Sequence, residues 1–174
     1  SSIDLKSNYD RIIHTAAALA LLRIGISRTK IYFMFQSIQK MIHRVRTAFG
    51  DSKKTYGGDV LDAEWENAPQ GVLQGNACGP TIWALLSSII FECLHKRGHS
   101  NFFCSSLSRE LFVLVGFSYV DDTDLFQTGS SPIEVLVSMQ ELVNSFGSLM
   151  KVTGAAINIE KSWYFLVDYV WKHG

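Results

Sequence analysis

The sequence predicts an α+β fold: a small antiparallel sheet with helices packed on one face, in a split βαβ, ferredoxin-like arrangement. Three observations point there. Apolar residues recur at helical spacing in segments set apart by glycine and proline. An apolar run over residues 111–119 is followed by a shorter one over 125–128, with Asp121 and Asp122 between them, which reads as a hairpin. The order of the elements is strand, helix, strand, strand, helix, strand.

Residues 1–5 read as the end of a strand. Over residues 9–24, Ile12, Ile13, Ala16, Ala17, Leu19, Ala20 and Leu21 give an apolar helical face, and Gly25 ends it. A second helix is expected over residues 29–43. Residues 44–58 alternate and carry Gly50-Asp51, a hairpin tip. The acidic stretch 59–69 reads as a loop, and 71–79 as a glycine-punctuated turn. Pro80 then takes the first position of a helix, where a missing N–H costs nothing, and that helix runs to Arg97 before Gly98. Ser131 caps and Pro132 opens a helix that reaches Met150. Residues 162–169 are the last predicted strand, and the chain has no repeats or low-complexity segment.

With 174 residues, 47% apolar and 18% charged, the chain can bury one sizeable core, so one domain is expected. No basic start leads into an apolar stretch of signal-peptide length. The greasy run 82–91 is about half of what a bilayer span needs, so no membrane partner is expected. Cys78, Cys93 and Cys104 lack C-x-x-C spacing and read as reduced thiols, which suits an intracellular protein of nucleus or cytoplasm. His95, His99 and Cys93 lie within helical reach of one another, but beside Lys96 and Arg97 they read as a solvated helix end rather than a zinc site. Net charge is zero, yet residues 1–54 hold ten of the sixteen Lys and Arg and three of the sixteen acids. The first third is therefore +7 and the remainder −7. A basic lobe beside an acidic one suits a protein that holds a polyanion together with divalent cations; decoration of helix faces is the alternative that composition leaves open.

The densest chemical signal is Phe117-Ser118-Tyr119-Val120-Asp121-Asp122. Adjacent carboxylates at the tip of a greasy hairpin repel unless a cation compensates, and Mg²⁺ does so with carboxylate and water oxygens. Taken in isolation, Asp-Asp is also a good turn. A second signal is the segment from Asp4 to Asp10 at a strand end, where one acid could complete a metal cage; helix capping is the competing role, and the favoured one for Asp10. Third comes Gly71-Val72-Leu73-Gln74-Gly75-Asn76 with Gly79-Pro80, glycines that let backbone approach a ligand or simply turn into a helix.

Together these segments resemble the palm of reverse transcriptases of the non-LTR retrotransposon and group II intron kind. Asp4 through Asp10 is similar to the first palm motif in its retroelement form, D-L-S-K-A-F-D, with aspartates six residues apart. Residues 71–80 resemble G-V-x-Q-G-x-x-x-G-P, and residues 119–122 the Y-x-D-D box. Gly154, Asn158 and Lys161 resemble the later G-x-x-x-N-x-x-K motif. Order and spacing agree across nearly the whole chain.

The resemblance implies an RNA-directed DNA polymerase working on an RNA template, a DNA primer and dNTPs. It implies that Asp4, Asp121 and Asp122 bind two Mg²⁺, with Mn²⁺ as a substitute and the Leu5 carbonyl as a further ligand. Tyr9 would be the steric gate against a ribose 2′-hydroxyl. Gln74 and Gly75 would contact the incoming nucleotide and Val120 the primer terminus. Lys161 would sit near the triphosphate and protonate the leaving pyrophosphate. Residues 1–174 would be the palm with part of the fingers; fingers motifs are expected before Asp4 and a thumb after Gly174. An RNA-dependent RNA polymerase shares the palm, but the bulk of Tyr9 argues against admitting ribose. A degenerate palm retained as a nucleic-acid-binding module is the other alternative, and the presence of all three carboxylates argues against it. Lys40, Arg44, Arg46, Lys53 and Lys54 are candidate phosphate contacts or a solvated face. The aromatic residues Trp163, Tyr164, Phe165, Tyr169 and Trp171 read as a buried strand and its edge in preference to a base-stacking surface.

Overall fold

The structure, a computed structural model, describes residues 1–6, 8–57, 71–72, 76–120 and 122–168. In chain order the elements are β1 (Ser2–Asp4), α1 (Asn8–Arg11), α2 (His14–Arg23), α3 (Arg28–Gln39), β2 (Ile42–Thr47), β3 (Gly50–Gly57), α4 (Cys78–Lys96), β4 (Asn101–Cys104), β5 (Leu111–Leu114), β6 (Gly116–Tyr119), β7 (Asp122–Leu125) and α5 (Pro132–Thr153), followed by a short 3₁₀ turn, Ile159–Lys161. The predicted α+β class holds: helices gather against a small antiparallel sheet.

That sheet has the order β1-β7-β6. Ser2, Ile3 and Asp4 pair with Asp124, Thr123 and Asp122, and Thr123 and Asp122 pair in turn with Ser118 and Tyr119. Because directly paired residues share a face and neighbours alternate, two unlike surfaces result. Ile3, Thr123 and Leu125 point into the core, where they are buried. The polar members of that face satisfy each other, with the Ser118 and Thr123 hydroxyls 3.1 Å apart. The opposite face carries Asp4, Phe117, Tyr119, Asp122 and Asp124.

Three helices cover the core face. Ile82, Trp83, Leu86, Ile90 and Leu94 of α4 are buried at near one-turn spacing, as are Leu142, Phe146 and Met150 of α5 and Ala17, Ala20 and Leu21 of α2. α4 packs on both α2 and α5. It is the one described helix long and apolar enough to cross a bilayer by length and composition, and here that apolar character builds the centre of the core. Ser131 caps α5 as predicted, its hydroxyl accepting from the Glu134 N–H, and Gly154 ends the helix in the left-handed region at φ +90°.

Tertiary partners overrule local propensity in several places. The predicted single helix over 9–24 breaks at Ile12-Ile13. An unbroken helix would join the Ile13 N–H to the Tyr9 carbonyl. Instead the Tyr9 carbonyl accepts from Val72 N–H at 2.8 Å, and the Ile13 N–H donates to the Thr153 carbonyl at 2.8 Å. The apolar run 111–119 is likewise two strands: β5 pairs with β4, β6 pairs with β7, and buried Val115 lies between. β4 has no counterpart in the sequence reading. The second helix stops at Gln39 because Ile42 and His43 join the β2–β3 hairpin, whose turn lies at Ala48-Phe49, just before the expected Gly50-Asp51. The acidic loop 59–69 lies outside the described residues.

The last predicted strand, 162–169, does not form. Ser2 and Trp163 exchange both backbone hydrogen bonds, and Leu5 bridges Ile157, so the chain does run along the free side of β1. The 3₁₀ turn interrupts that run. Beyond Trp163 there is no regular strand among the described residues, and Trp163, Tyr164 and Phe165 are exposed rather than buried, with Trp163 stacked on Phe165. Tyr169 and Trp171 lie outside the described residues.

At the far end of the helical layer, Glu92 accepts from Arg23 at 2.5 Å and from Lys96 at 2.8 Å, tying α2 to α4. Lys96 and Arg23 lower its carboxyl from an ordinary 4.5 to about 2. Because the folded value is depressed, this contribution is complete above about 4.5 and fades as pH falls toward 2. Carboxyl NMR of the wild type should show Glu92 titrating near 2, and the double variant Arg23→Ala, Lys96→Ala should return it to the ordinary range.

Candidate active site

The register of β1 on β7 sets Asp4 directly opposite Asp122, so the two carboxylates leave neighbouring strands on the same face. Asp4 is half-buried and Asp122 exposed. Asp121, the other acid of the hairpin, lies outside the described residues, as do Gln74 and Gly75. Among the described residues no three metal-ligating side chains cluster.

The interrupted edge segment wraps Asp4. Its carbonyl accepts from the Asn158 N–H at 2.9 Å, and its carboxylate Oδ2 accepts from Asn158 Nδ2 at 2.8 Å. Ser162 Oγ accepts from the Asp4 N–H at 3.3 Å and donates to the Asn158 carbonyl at 2.8 Å. One carboxylate oxygen is thereby fixed, and the orientation of the other follows. The turn that supplies Asn158 also carries Lys161 to the same place.

A hollow of about 490 Å³ opens beside Asp4, lined also by Asn8, Tyr9, Val120, Asn158 and Lys161. Leu5 and Lys6 line it as well, while Asp122 does not. Sequence positions 4–11, 120 and 158–161 thus converge on one space.

Glycines hold Tyr9 there from two sides. A Cβ on Gly71 would lie 2.3 Å from the Tyr9 carbonyl, and one on Gly154 would lie 2.2 Å from the Arg11 carbonyl. Both glycines have φ near +90°, so close approach and backbone conformation exclude other residues alike. Gly79 at the start of α4 faces the Tyr9 ring, where even a methyl would sit in contact with it. His14 steadies this arrangement: Nε2 donates to the Gly71 carbonyl at 2.6 Å, and Nδ1 accepts from Gln39 at 3.1 Å.

The β6–β7 turn is strained. Tyr119 pairs with Asp122 across a two-residue hairpin loop whose first residue is Val120. Such loops demand a positive φ at the first central residue, and Val120 adopts φ +57°. A β-branched side chain is poorly suited to that region.

Other candidates fare differently. Arg46 is spent on Asp51, at 2.6 and 3.0 Å, while Arg44 and Lys53 stay exposed on the hairpin; the Lys54 side chain lies outside the described residues. The two histidines near Cys93 bond to hydroxyls, His95 to Ser100 and His99 to Ser145. Ser162 and Asn8 escaped the sequence reading. Ser162 offered no signal, but Asn8 did, because the resembling motif has alanine at its place.

No family model matches the sequence, and no curated protein matches it. Solved structures do, among them two of telomerase from Candida tropicalis. The apo enzyme truncated from its C-terminal domain matches at 20% identity and a TM-score of 0.54, over 92% of this chain and 29% of that one. The enzyme in complex with a TWJ fragment of telomeric RNA matches at 18% identity and a TM-score of 0.49, over 92% of this chain and 24% of that one. The first likeness shows a reverse-transcriptase-like fold. This chain spans under a third of either telomerase.

The strain at Val120 is measurable. Val120→Gly should raise stability by about 1 kcal/mol, since relief of about 1–2 kcal/mol exceeds the entropic cost of glycine. Chemical denaturation of the two proteins checks it; an unchanged midpoint would mean the turn is not strained.

Proposed function

We propose that this chain is the palm, with part of the fingers, of an RNA-directed DNA polymerase of the non-LTR retrotransposon or group II intron kind. It transfers a nucleotidyl group from a dNTP to a primer 3′-hydroxyl along an RNA template. One observation carries this reading: Asp4 stands opposite Asp122 while Asn158, Lys161 and Tyr9, from distant parts of the chain, close around the same hollow. The reverse-transcriptase-like fold agrees with it.

The donor set suits hard divalent cations. Carboxylates of Asp4 and Asp122, with Asp121 beside them in sequence and the Leu5 carbonyl, are all oxygen ligands of the kind Mg²⁺ prefers, and Mn²⁺ accepts the same set. When bound, two such ions supply the positive charge that activates the primer hydroxyl and stabilises the leaving oxygen.

The chain's own groups do the rest. Asn158 holds the Asp4 carboxylate in one orientation, which removes a reorganisation cost at the moment of reaction. The Tyr9 ring, backed by Gly79, fills the space beside the sugar and excludes a 2′-hydroxyl. Lys161, at the wall of the hollow, places an ammonium where the pyrophosphate departs and can give it a proton. Gln74 and Gly75 contact the nucleotide and Val120 the primer end. Phosphoryl transfer asks mainly for such positioning and charge neutralisation.

Primer extension on an RNA template by the full-length protein tests this. Asp4→Asn or Asp122→Asn should lower the rate by about two to three orders of magnitude, the usual cost of losing a group that stabilises transition-state charge. Wild-type rates in both variants would sink the reading. With the same assay, Tyr9→Ala should raise ribonucleotide incorporation relative to deoxyribonucleotide. Unchanged sugar discrimination would remove Tyr9 from the gate.

A further inference from the structure

Asn8 is 3% exposed, and among the described residues neither its Oδ1 nor its Nδ2 has a hydrogen-bond partner. It borders the hollow shared with Asp4, Tyr9 and Lys161. The contrast with Asn101 is instructive. That residue is 2% exposed and uses its whole amide: Nδ2 donates to the Leu114 and Phe126 carbonyls, and Oδ1 accepts from the Thr128 N–H and hydroxyl. Asn101 stitches the β4–β5 hairpin to the end of β7. Asn8 stitches nothing. A buried amide left without partners is costly and uncommon in folded proteins, and alanine, present at this place in the resembling motif, would avoid the cost.

We infer that Asn8 is a specificity-determining residue that hydrogen-bonds the sugar 3′-hydroxyl of the incoming nucleotide. The inference rests on the polymerase reading above. A templated enzyme must accept every base, so a fixed side chain in the nucleotide site addresses sugar or phosphate. A phosphate oxygen only accepts and would leave Oδ1 unsatisfied. A hydroxyl both donates and accepts, so it can serve Oδ1 and Nδ2 directly or through a water that enters with the nucleotide. Tyr9, the next residue, occupies the space beside the 2′ carbon, which leaves the 3′-hydroxyl as the group for its neighbour. A site built to bond a hydroxyl also rejects a substrate lacking it, because its polar atoms are then stranded.

The test compares dNTPs with 2′,3′-dideoxynucleotides in primer extension by the full-length protein. Wild type should prefer the dNTP, and Asn8→Ala should cut that preference about tenfold, through loss of dNTP efficiency with little change for the dideoxynucleotide. Two further measurements separate this from a structural role. Without nucleotide, Asn8→Ala should unfold at a higher temperature than wild type, because an unsatisfied buried group is gone; a residue that holds the turn together would give a lower one and overturn the assignment. In wild type alone, with Mg²⁺, a dNTP should raise the melting temperature more than its dideoxy counterpart; equal shifts would overturn it as well. Extension with an unchanged sugar preference in Asn8→Ala refutes the role of Asn8 and leaves the polymerase reading intact. No extension by wild type with any nucleotide refutes both.

Discussion

Everything at the site depends on the backbone of one short strand. β1 has three residues, yet it pairs with β7 on one side and carries the edge segment on the other. Its register on β7 decides which acids share a face, since a slip of one residue would turn Asp4 into the core and bring Ile3 to the surface. Ile3 and Thr123, both 1% exposed, resist that slip because the core side tolerates only apolar or internally satisfied groups. Burial on one face thus sets the chemistry of the other.

The turn at residues 8–11 shows the same economy. Its backbone forgoes helical continuity so that the Tyr9 carbonyl can take Val72 and the Ile13 N–H can take Thr153. Gly71 and Gly154 approach this turn from either side at distances no side chain would permit. Motif glycines 83 residues apart in sequence therefore close on the backbone of one turn, which carries Tyr9 to the hollow beside Asp4. The steric role proposed for Tyr9 requires such support, because a ring free to swing away would exclude nothing.

Much of this was legible in the sequence. The Ser131-Pro132 helix start is a local signal, carried by cap chemistry that acts over a few residues; the turn expected at Asp121-Asp122 instead opens at Val120, and Asp122 is already paired in β7. The class of fold followed from element order, while the grouping of Asp4 with Asp122 came from the family resemblance. What could not be read was decided by partners distant in the chain. An apolar run such as 111–119 satisfies any strand pairing, so nothing within it announces that Val115 marks a change of partner. Residues 162–169 have strand-like composition, but the 3₁₀ turn before them, bonded to Asp4, breaks the ladder. Asn8 departs from the alanine of the resembling motif, but only its burial without a partner among the described residues sets it apart from Asn101.

The interrupted edge has one more consequence. An uninterrupted strand along β1 would expose a straight row of N–H and C=O groups to solvent, a template on which a second chain could add. The 3₁₀ turn at Ile159–Lys161 breaks that row and puts a lysine in it. Both are devices by which natural sheets discourage edge-to-edge aggregation. The same three residues that bring a cation to the hollow beside Asp4 also keep this side of the sheet from growing.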